Sequence, residues 1–182
     1  MKTKTLLTIA IAFLFISLQQ TMAQNKETRI LVAYFSATGT TARAAEKLAN
    51  VTGGELYAIE PVRSYTSADL DWHDRQSRSS VEMNDPASRP AIKGRKENIA
   101  DYDVILIGYP IWWNLAPRVI NTFIESHDLK GKIMVPFATS GGSTLAGSAA
   151  ALKQTYPALN WKEGRLLNRV DEKTIRAWME GW

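Results

Sequence analysis

The stretch that decides the fold is Tyr34-Phe35-Ser36-Ala37-Thr38-Gly39-Thr40-Thr41, where an apolar run ends in closely spaced hydroxyl groups around one glycine. A helical pattern follows at once. A strand that stops at a short glycine loop leaves the first N–H groups of the next helix pointing at one spot, and the helix dipole adds partial positive charge there. Further donors come from four hydroxyl side chains, Ser36, Thr38, Thr40 and Thr41. The stretch predicts a phosphate-binding loop between a strand and a helix.

This hydroxyl loop, residues 36–41, differs from two common nucleotide-binding motifs. It contains no lysine, so it lacks the ending of G-x-x-x-x-G-K-[ST], and it does not match G-x-G-x-x-G. Hydroxyls and amides without a cation or a Mg²⁺ ligand favour a phosphate that is held and not transferred. The alternative is that the loop is a plain helix cap, because serine and threonine are also common there.

Apolar runs alternate with helical patterns along the rest of the chain. Strands are predicted at residues 29–36, 55–60, 104–109, 133–138 and 161–167, and helices at 40–50, 117–127, 144–156 and 171–181. The run Val104-Ile105-Leu106-Ile107 has no polar alternation, which is typical of a parallel strand buried on both faces. The pattern predicts a doubly wound α/β fold with a five-stranded parallel sheet between two helical layers.

One long segment interrupts this alternation. Residues 63–98 are polar and contain Pro86 and Pro90, and a helix is predicted at 67–82 with Trp72 at its centre. We expect a helix plus a long connector that wraps one edge of the sheet. The sequence contains no repeat and no interdomain linker, which predicts one domain over residues 24–182.

The N-terminus has the features of an export signal. Lys2 and Lys4 precede an apolar run over residues 6–18, and Thr21-Met22-Ala23 places small residues where a signal peptidase reads them. We therefore expect a signal peptide at 1–23, an exported protein that is periplasmic or extracellular, and no membrane span after cleavage. An uncleaved membrane anchor is the alternative.

Composition excludes several classes of function. The formal net charge of +4 falls to +2 without Lys2 and Lys4, a surplus too weak to indicate a nucleic-acid surface. The chain has no cysteine, so it has no disulfide, thiol nucleophile or thiolate metal site. His73 and His127 show no ligand spacing. We predict neither a metal site nor a residue that acts as a catalytic nucleophile or obligatory acid or base.

Three predicted strand ends carry polar, glycine or aromatic residues. They are the hydroxyl loop, the stretch Gly108-Tyr109-Pro110-Ile111-Trp112-Trp113-Asn114, and the stretch Ala138-Thr139-Ser140-Gly141-Gly142-Ser143. Ligands of doubly wound sheets bind beyond the carboxyl ends of the strands, where the strand order reverses. The second stretch offers aromatic planes and the third offers glycines that let a flat ligand approach the backbone, although one tryptophan could instead be core. A phosphate site beside a ring site predicts a mononucleotide.

These residues resemble the flavodoxin family, and within it short flavodoxin-like proteins with a Gly-Tyr-Pro-Ile-Trp-Trp turn. The resemblance covers nearly all of residues 24–182 and implies non-covalently bound FMN in a sheet of strand order 2-1-3-4-5. It implies that the phosphate is held by Ser36, Thr38, Gly39, Thr40 and Thr41. It implies that the isoalloxazine ring is flanked by Pro110, Ile111, Trp112, Trp113 and Asn114, and by Thr139, Ser140, Gly141 and Gly142.

Three functions are compatible with this reading. The first is a redox protein that carries electrons between an unidentified donor and acceptor by means of FMN. Electron shuttles of this family are typically strongly acidic, whereas this chain is near neutral. The second is an FMN-dependent reductase of the NAD(P)H:quinone type, and the third is a non-catalytic exported flavin-binding protein.

Overall fold

A parallel sheet forms the centre of the computed structural model, which describes residues 28–169 and 171–180. The predicted signal peptide lies outside these residues. The strands are β1 (Ile30–Tyr34), β2 (Glu55–Ala58), β3 (Val104–Pro110), β4 (Ile133–Thr139), β5 (Asn160–Trp161) and β6 (Arg165–Leu166). Their order is β2-β1-β3-β4-β5, with β6 also paired to β4, and every pair is parallel. The predicted order 2-1-3-4-5 is confirmed.

Helices cover both faces of the sheet. They are α1 (Thr40–Thr52), α2 (Arg78–Asn84), α3 (Arg118–Glu125), α4 (Leu145–Thr155) and α5 (Glu172–Met179). Phe123 of α3 and Leu152 of α4 belong to the apolar core on one face, and Leu48 of α1 and Ile175 of α5 to the core on the other. The predicted three-layer arrangement is confirmed. In the described part of the chain, no helix is both long and apolar enough to cross a membrane.

The fifth strand is predicted as one run, 161–167, but is broken into β5 and β6. The carbonyls of Met134 and Ala138 accept hydrogen bonds from the residues that follow β5 and β6. Pro136 lies between Met134 and Ala138 in β4. Its nitrogen faces the same neighbouring strands as their carbonyls but has no N–H to donate. Gly164 passes this point so closely that a side chain there would collide with the Pro136 carbonyl. The break therefore comes from the neighbouring strand, which the local sequence pattern does not reveal.

The helix predicted at 67–82 is wrong over residues 67–77 and begins only at Arg78. In the turns before it, Asp69, Asp71 and Asp74 each accept a backbone N–H from a residue two or three positions away. Such side-chain bonds compete with helical ones. The Ser77 side chain then caps α2, so the helix starts where a capping residue allows it.

The connector, residues 63–98, follows the β2 edge and is fastened to α3. Arg89 binds the Glu125 carboxylate through Nε and Nη2, at 2.7 and 2.8 Å. The N–H of Lys96 donates to His127 Nε2 at 2.9 Å, and Lys96 also forms an ion pair with Glu55 of β2. These contacts hold the last third of the connector in place.

Candidate functional site

The hydroxyl loop turns sharply into α1. Gly39 occupies the N-cap position with φ 84°, a left-handed conformation that favours glycine. Its N–H donates to Ser36 Oγ at 3.1 Å. No side chain caps α1 and its first turn holds no acidic residue. The first N–H groups of α1 therefore keep their capacity to bind an anion.

A cation lies at this loop, contrary to the sequence analysis, which treated the loop as free of one. Arg43 Nη2 lies 3.4 Å from Thr40 Oγ1. Arg43 Nη1 lies 3.4 Å from the point that a Cβ on Gly39 would occupy. Arg43 follows Gly39 by four positions, so the helical repeat brings its guanidinium back over the loop. The spacing of four residues between Gly39 and Arg43 could have indicated this cation from the sequence alone.

Two of the predicted FMN-binding residues bind each other. The Oγ1 atoms of Thr41 and Thr139 are 2.8 Å apart, and both side chains are buried. This bond fixes the hydroxyl loop to the end of β4. The two threonines position the site from inside, whereas Thr38 and Thr40 remain exposed.

The aromatic turn, residues 108–114, ends in a tight reversal. Trp112 and Leu115 exchange backbone hydrogen bonds at 3.0 and 2.9 Å, which makes Trp113 and Asn114 the two central residues. Both have positive φ, 48° and 61°, a strained conformation for a tryptophan. The N–H of Ile111 donates to the Thr139 carbonyl at 2.9 Å and ties the turn to β4. The turn is thus a rigid platform.

The two adjacent tryptophans have different environments. Trp112 packs edge-on against Phe35 and Tyr65, with ring centroids 5.6 and 5.3 Å apart. Trp113 is 47% exposed. Trp112 is therefore half-buried and packs against the core, in line with the core role allowed for one tryptophan, whereas Trp113 is exposed.

The glycine loop, residues 139–143, is held by its own serine and by a residue that sequence reasoning missed. Ser140 Oγ accepts the N–H groups of Gly142 and Ser143 at 3.2 and 2.7 Å. Asn168 accepts the Ser140 N–H at 2.8 Å and donates to the Ser140 carbonyl at 2.5 Å. Asn168 follows β6, and only its place after a strand could have indicated this role.

A cleft of about 440 Å³, here called the ring cleft, unites these loops. It is lined by Ala37, Thr38, Leu70, Trp72, Ser79, Pro110, Ile111, Trp112, Trp113 and Gly141. None of these side chains carries a charge. The connector residues among them were not predicted as site residues, because no ligand motif marks that segment.

A second cleft of about 310 Å³, the loop cleft, shares Ala37 with the ring cleft. Ser36 and Gly39 line it. Thr40 lines a third cleft beside Arg43. Five predicted residues line none of these three clefts, although their loops do: Thr41, Asn114, Thr139, Ser140 and Gly142. The structure thus gathers all three predicted segments at one edge of the sheet.

Comparison of the whole sequence with protein families identifies the family of this chain. The flavodoxin family model matches residues 29–182. The chain belongs to the flavodoxin family. The three loops of this flavodoxin-family chain lie at the carboxyl ends of β1, β3 and β4, where its parallel strands meet. The resemblance to the flavodoxin family is confirmed.

Solved structures agree with this assignment. A candidate flavoprotein from Bacteroides eggerthii DSM 20697 is 72% identical, with a TM-score of 0.84, and the match covers 85% of this chain and 98% of that one. One from Bacteroides uniformis ATCC 8492 is 55% identical, with a TM-score of 0.82 and coverages of 85% and 99%. A flavoprotein from Lactobacillus acidophilus NCFM, solved with FMN, shares the fold at 22% identity, a TM-score of 0.65 and coverages of 81% and 98%. The comparison with curated proteins finds no match.

Beneath the aromatic turn of this flavodoxin-family protein lies a charged cluster. Tyr65 donates its hydroxyl to the Glu82 carboxylate, which also accepts Arg78 Nε at 2.6 Å. The Arg78 guanidinium lies 4.0 Å from the centre of the Tyr65 ring. Burial, followed by the bond to Glu82, raises the pKa of Tyr65 well above its ordinary value. Tyr65 therefore stays a neutral donor that packs against Trp112.

The described residues contain no group of three or more histidine, cysteine, aspartate or glutamate side chains able to hold a metal ion. His73 lies beside Trp72, with ring centroids 3.5 Å apart. His127 is buried and binds the connector. The chemistry that the site offers comes from hydroxyls, amides, aromatic rings and Arg43.

Proposed function

We propose that this protein binds FMN non-covalently and uses it to transfer electrons. The observation that carries the proposal is the meeting of an uncapped helix N-terminus and an aromatic platform at one edge of the sheet. Membership of the flavodoxin family supports it. The Lactobacillus acidophilus flavoprotein, which shares the fold, was solved with FMN.

The residues fit this cofactor in shape and in charge. The ring cleft has uncharged, largely apolar and aromatic walls, and its volume suits a small planar ligand. Because Ala37 lines both clefts, a ligand with a ring and a phosphate tail can extend from the ring cleft to the hydroxyl loop. The Glu60 carboxylate lines the loop cleft but is paired with Lys93 at 3.1 Å. Its repulsion of a phosphate is therefore reduced.

Each part of the site has a separate task. The N–H groups at the start of α1, the exposed hydroxyls and the Arg43 guanidinium would hold the phosphate. Pro110, Ile111 and Trp113 would hold the ring and exclude water from it. When bound, FMN supplies reversible one-electron or two-electron chemistry. The protein residues would orient the ring and set its surroundings.

Titration of the purified protein with FMN and with riboflavin tests the proposal. Riboflavin has the same ring and lacks the phosphate. We expect FMN to bind with a micromolar or lower dissociation constant, and riboflavin to bind at least about tenfold more weakly because it forgoes the charge-assisted bonds of the hydroxyl loop. Failure of FMN to bind would overturn the proposal. Equal affinities would overturn the assignment of the hydroxyl loop to the phosphate.

We also propose that residues 1–23 direct export and are removed. The support is the sequence pattern of two lysines, an apolar run and small residues at 21–23. Intact-mass measurement of the native protein from each cell fraction tests it. A chain that begins at Gln24 in an exported fraction is the expected result. A chain that keeps residues 1–23 in the cytoplasmic fraction contradicts it.

A further inference from the structure

The pairing of positive charges differs between the two edges of the sheet. On the β2 side, five cations of the connector form ion pairs: Arg63, Arg78, Arg89, Lys93 and Lys96. At the opposite edge and the start of α5 lie four cations, here called the basic edge: Lys162, Arg165, Arg169 and Lys173. Their side chains form no hydrogen bond or ion pair with another residue that the structure describes. Arg165 is half-buried and the other three are exposed.

The acidic residues near the basic edge do little to offset it. Asp171 accepts the Thr174 N–H at 2.7 Å as the cap of α5. Glu172 lies 3.9 Å from Arg176 in an ion pair. Residues 160–176 contain five lysine or arginine and three aspartate or glutamate residues, a net charge of +2. This one segment therefore carries as much positive surplus as the whole of residues 24–182.

The basic edge adjoins the loops of the proposed FMN site. Asn168 directly precedes Arg169 and holds the Ser140 backbone in the glycine loop. Asn168 also lines the third cleft, of about 320 Å³, together with Arg43 and Lys47 of α1. Positive charge therefore continues from the edge of the sheet to the hydroxyl loop. A macromolecule bound at the basic edge would lie beside the loops assigned to the cofactor.

The chemistry of this surface favours an acidic protein over a membrane or a nucleic acid. Among the described residues, the exposed large hydrophobic side chains all lie elsewhere: Leu56, Val62, Trp72, Val81 and Trp113. The basic edge thus lacks the apolar anchor of a membrane-surface segment. A surplus of two charges is also small for a surface that must neutralise many phosphates. Carboxylates of a partner protein complement such spaced cations and are steered toward them.

We propose that the basic edge docks an acidic protein that exchanges electrons with the cofactor. This inference rests on the proposed binding of FMN. In the exchange, reduced FMN loses one electron, and an oxidised centre of the partner, such as a ferric haem, gains it and becomes ferrous. The complementary charges would hold the partner beside the glycine loop while the electron passes.

Fluorescence anisotropy of a labelled oligoglutamate peptide tests docking without turnover. The protein is loaded with FMN, so that the hydroxyl loop is already occupied. We expect the peptide to bind at low ionic strength, and Lys162→Glu/Lys173→Glu to raise its dissociation constant about tenfold. The FMN dissociation constant should stay within about threefold, because neither lysine belongs to the FMN site and glutamate is favourable in the first turn of α5.

The control variant is Arg75→Glu/Lys130→Glu. It makes the same change in net charge at two exposed cations outside the basic edge, one on the connector and one before β4. We expect it to change peptide affinity by no more than about twofold, since a distant charge is largely screened by salt. The variant Lys162→Arg/Lys173→Arg should keep the affinity of the unaltered protein.

Stopped-flow oxidation of the reduced holoprotein by two haem proteins tests the sign of the partner's charge. Cytochrome b5 is acidic and cytochrome c is basic. We expect the rate with cytochrome b5 to fall as NaCl rises from about 10 to about 200 mM, because salt screens the attraction. The same rate should fall about fivefold or more in Lys162→Glu/Lys173→Glu, whereas the rate with cytochrome c should not fall.

The outcomes separate the two proposals. Absence of FMN binding in the unaltered protein contradicts the proposed function itself. If FMN binds but the peptide does not, or if the control variant loses as much peptide affinity, the inference on docking is wrong. Binding to phosphatidylglycerol vesicles and not to the peptide would also overturn it, by assigning the basic edge to a membrane. Thermal unfolding identifies a variant that fails to fold, and Lys162→Gln/Lys173→Gln then takes its place.

Discussion

The Oγ1 atoms of Thr41 and Thr139 lie 2.8 Å apart in the interior and join the loop after β1 to the end of β4. Strand β3 lies between those two strands, so this bond bridges two loops that the sheet ladder does not connect. Thr41 is only 1% exposed, and water cannot replace a lost partner there. The spacing of the two predicted binding loops depends on this contact.

Replacing one of these threonines should destabilise the protein. Thr139→Val removes the partner of a buried hydroxyl, and we expect the free energy of unfolding in urea to fall by about 1–2 kcal/mol. In the double variant Thr41→Val/Thr139→Val no hydroxyl is left unpaired, so it should lose less than the sum of the two single changes. Additive losses would show that the two side chains do not interact.

Alanine should affect stability at only one of two glycines of the site, Gly108 and Gly141. A Cβ at Gly108 would overlap the Phe137 ring, whereas a Cβ at Gly141 meets nothing within 4 Å. We expect Gly108→Ala to lower stability by about 1–3 kcal/mol or more. Gly141→Ala should leave the melting temperature nearly unchanged and weaken FMN binding, because Gly141 lines the ring cleft. A stable Gly108→Ala protein would contradict the observed packing of β3 on β4.

Arg43 should contribute to phosphate binding and not to ring binding. Arg43→Gln removes the guanidinium beside Thr40, and we expect FMN affinity to drop about tenfold while riboflavin affinity stays the same. The remaining FMN affinity should also depend less on salt. Lys47→Gln, one turn further along α1, is the matched control for the loss of one positive charge. An equal drop with riboflavin would place Arg43 at the ring.

The fold should lose stability in mild acid through His127. Burial is the main cause that lowers the pKa of His127 below its ordinary value of 6.5. The folded protein therefore binds fewer protons than the unfolded chain below that pH, and its free energy of unfolding should fall as the pH drops through 6.5. Protonation would also put a proton on Nε2, which now accepts the Lys96 N–H. Arg95 lowers this pKa further, whereas the Phe123 carbonyl and Glu97 oppose the shift.

Urea unfolding at pH 7.5 and pH 5.5 measures this effect. The variant His127→Gln does not titrate, so its stability should change less between the two pH values, even if it is lower at both. An equal pH dependence in the variant would assign the acid sensitivity to other groups.

The strand order and the three loops could be predicted because their signals are local. The apolar run 104–107 marks a buried parallel strand, and glycine, hydroxyl or aromatic residues follow three of the predicted strands. The position of Arg43 over the loop required the helical repeat to be applied beyond the loop itself. The division of Trp112 and Trp113 between core and surface is set by the turn geometry, which gives each residue its own direction.

The connector was harder to predict because side-chain bonds, and not apolar periodicity, decide its shape. Asp69, Asp71 and Asp74 stabilise turns where the sequence suggested a helix. Its role as a wall of the ring cleft depends on contacts with residues far away in sequence, such as the bond from Arg118 to Met83. Trp72 therefore entered the site only once the fold was known.

The break opposite Pro136 also affects how the protein meets other copies of itself in concentrated solution. A long, regular outer strand offers a row of unpaired N–H and C=O groups on which a second chain can extend the sheet. In this protein the sheet edge beside β4 consists of two strands of two residues each, β5 and β6, with Gly164 between them. A strand of a second chain would find no continuous row of N–H and C=O groups to pair with. Pro136, which breaks the strand pairing here, therefore also protects this sheet edge from aggregation.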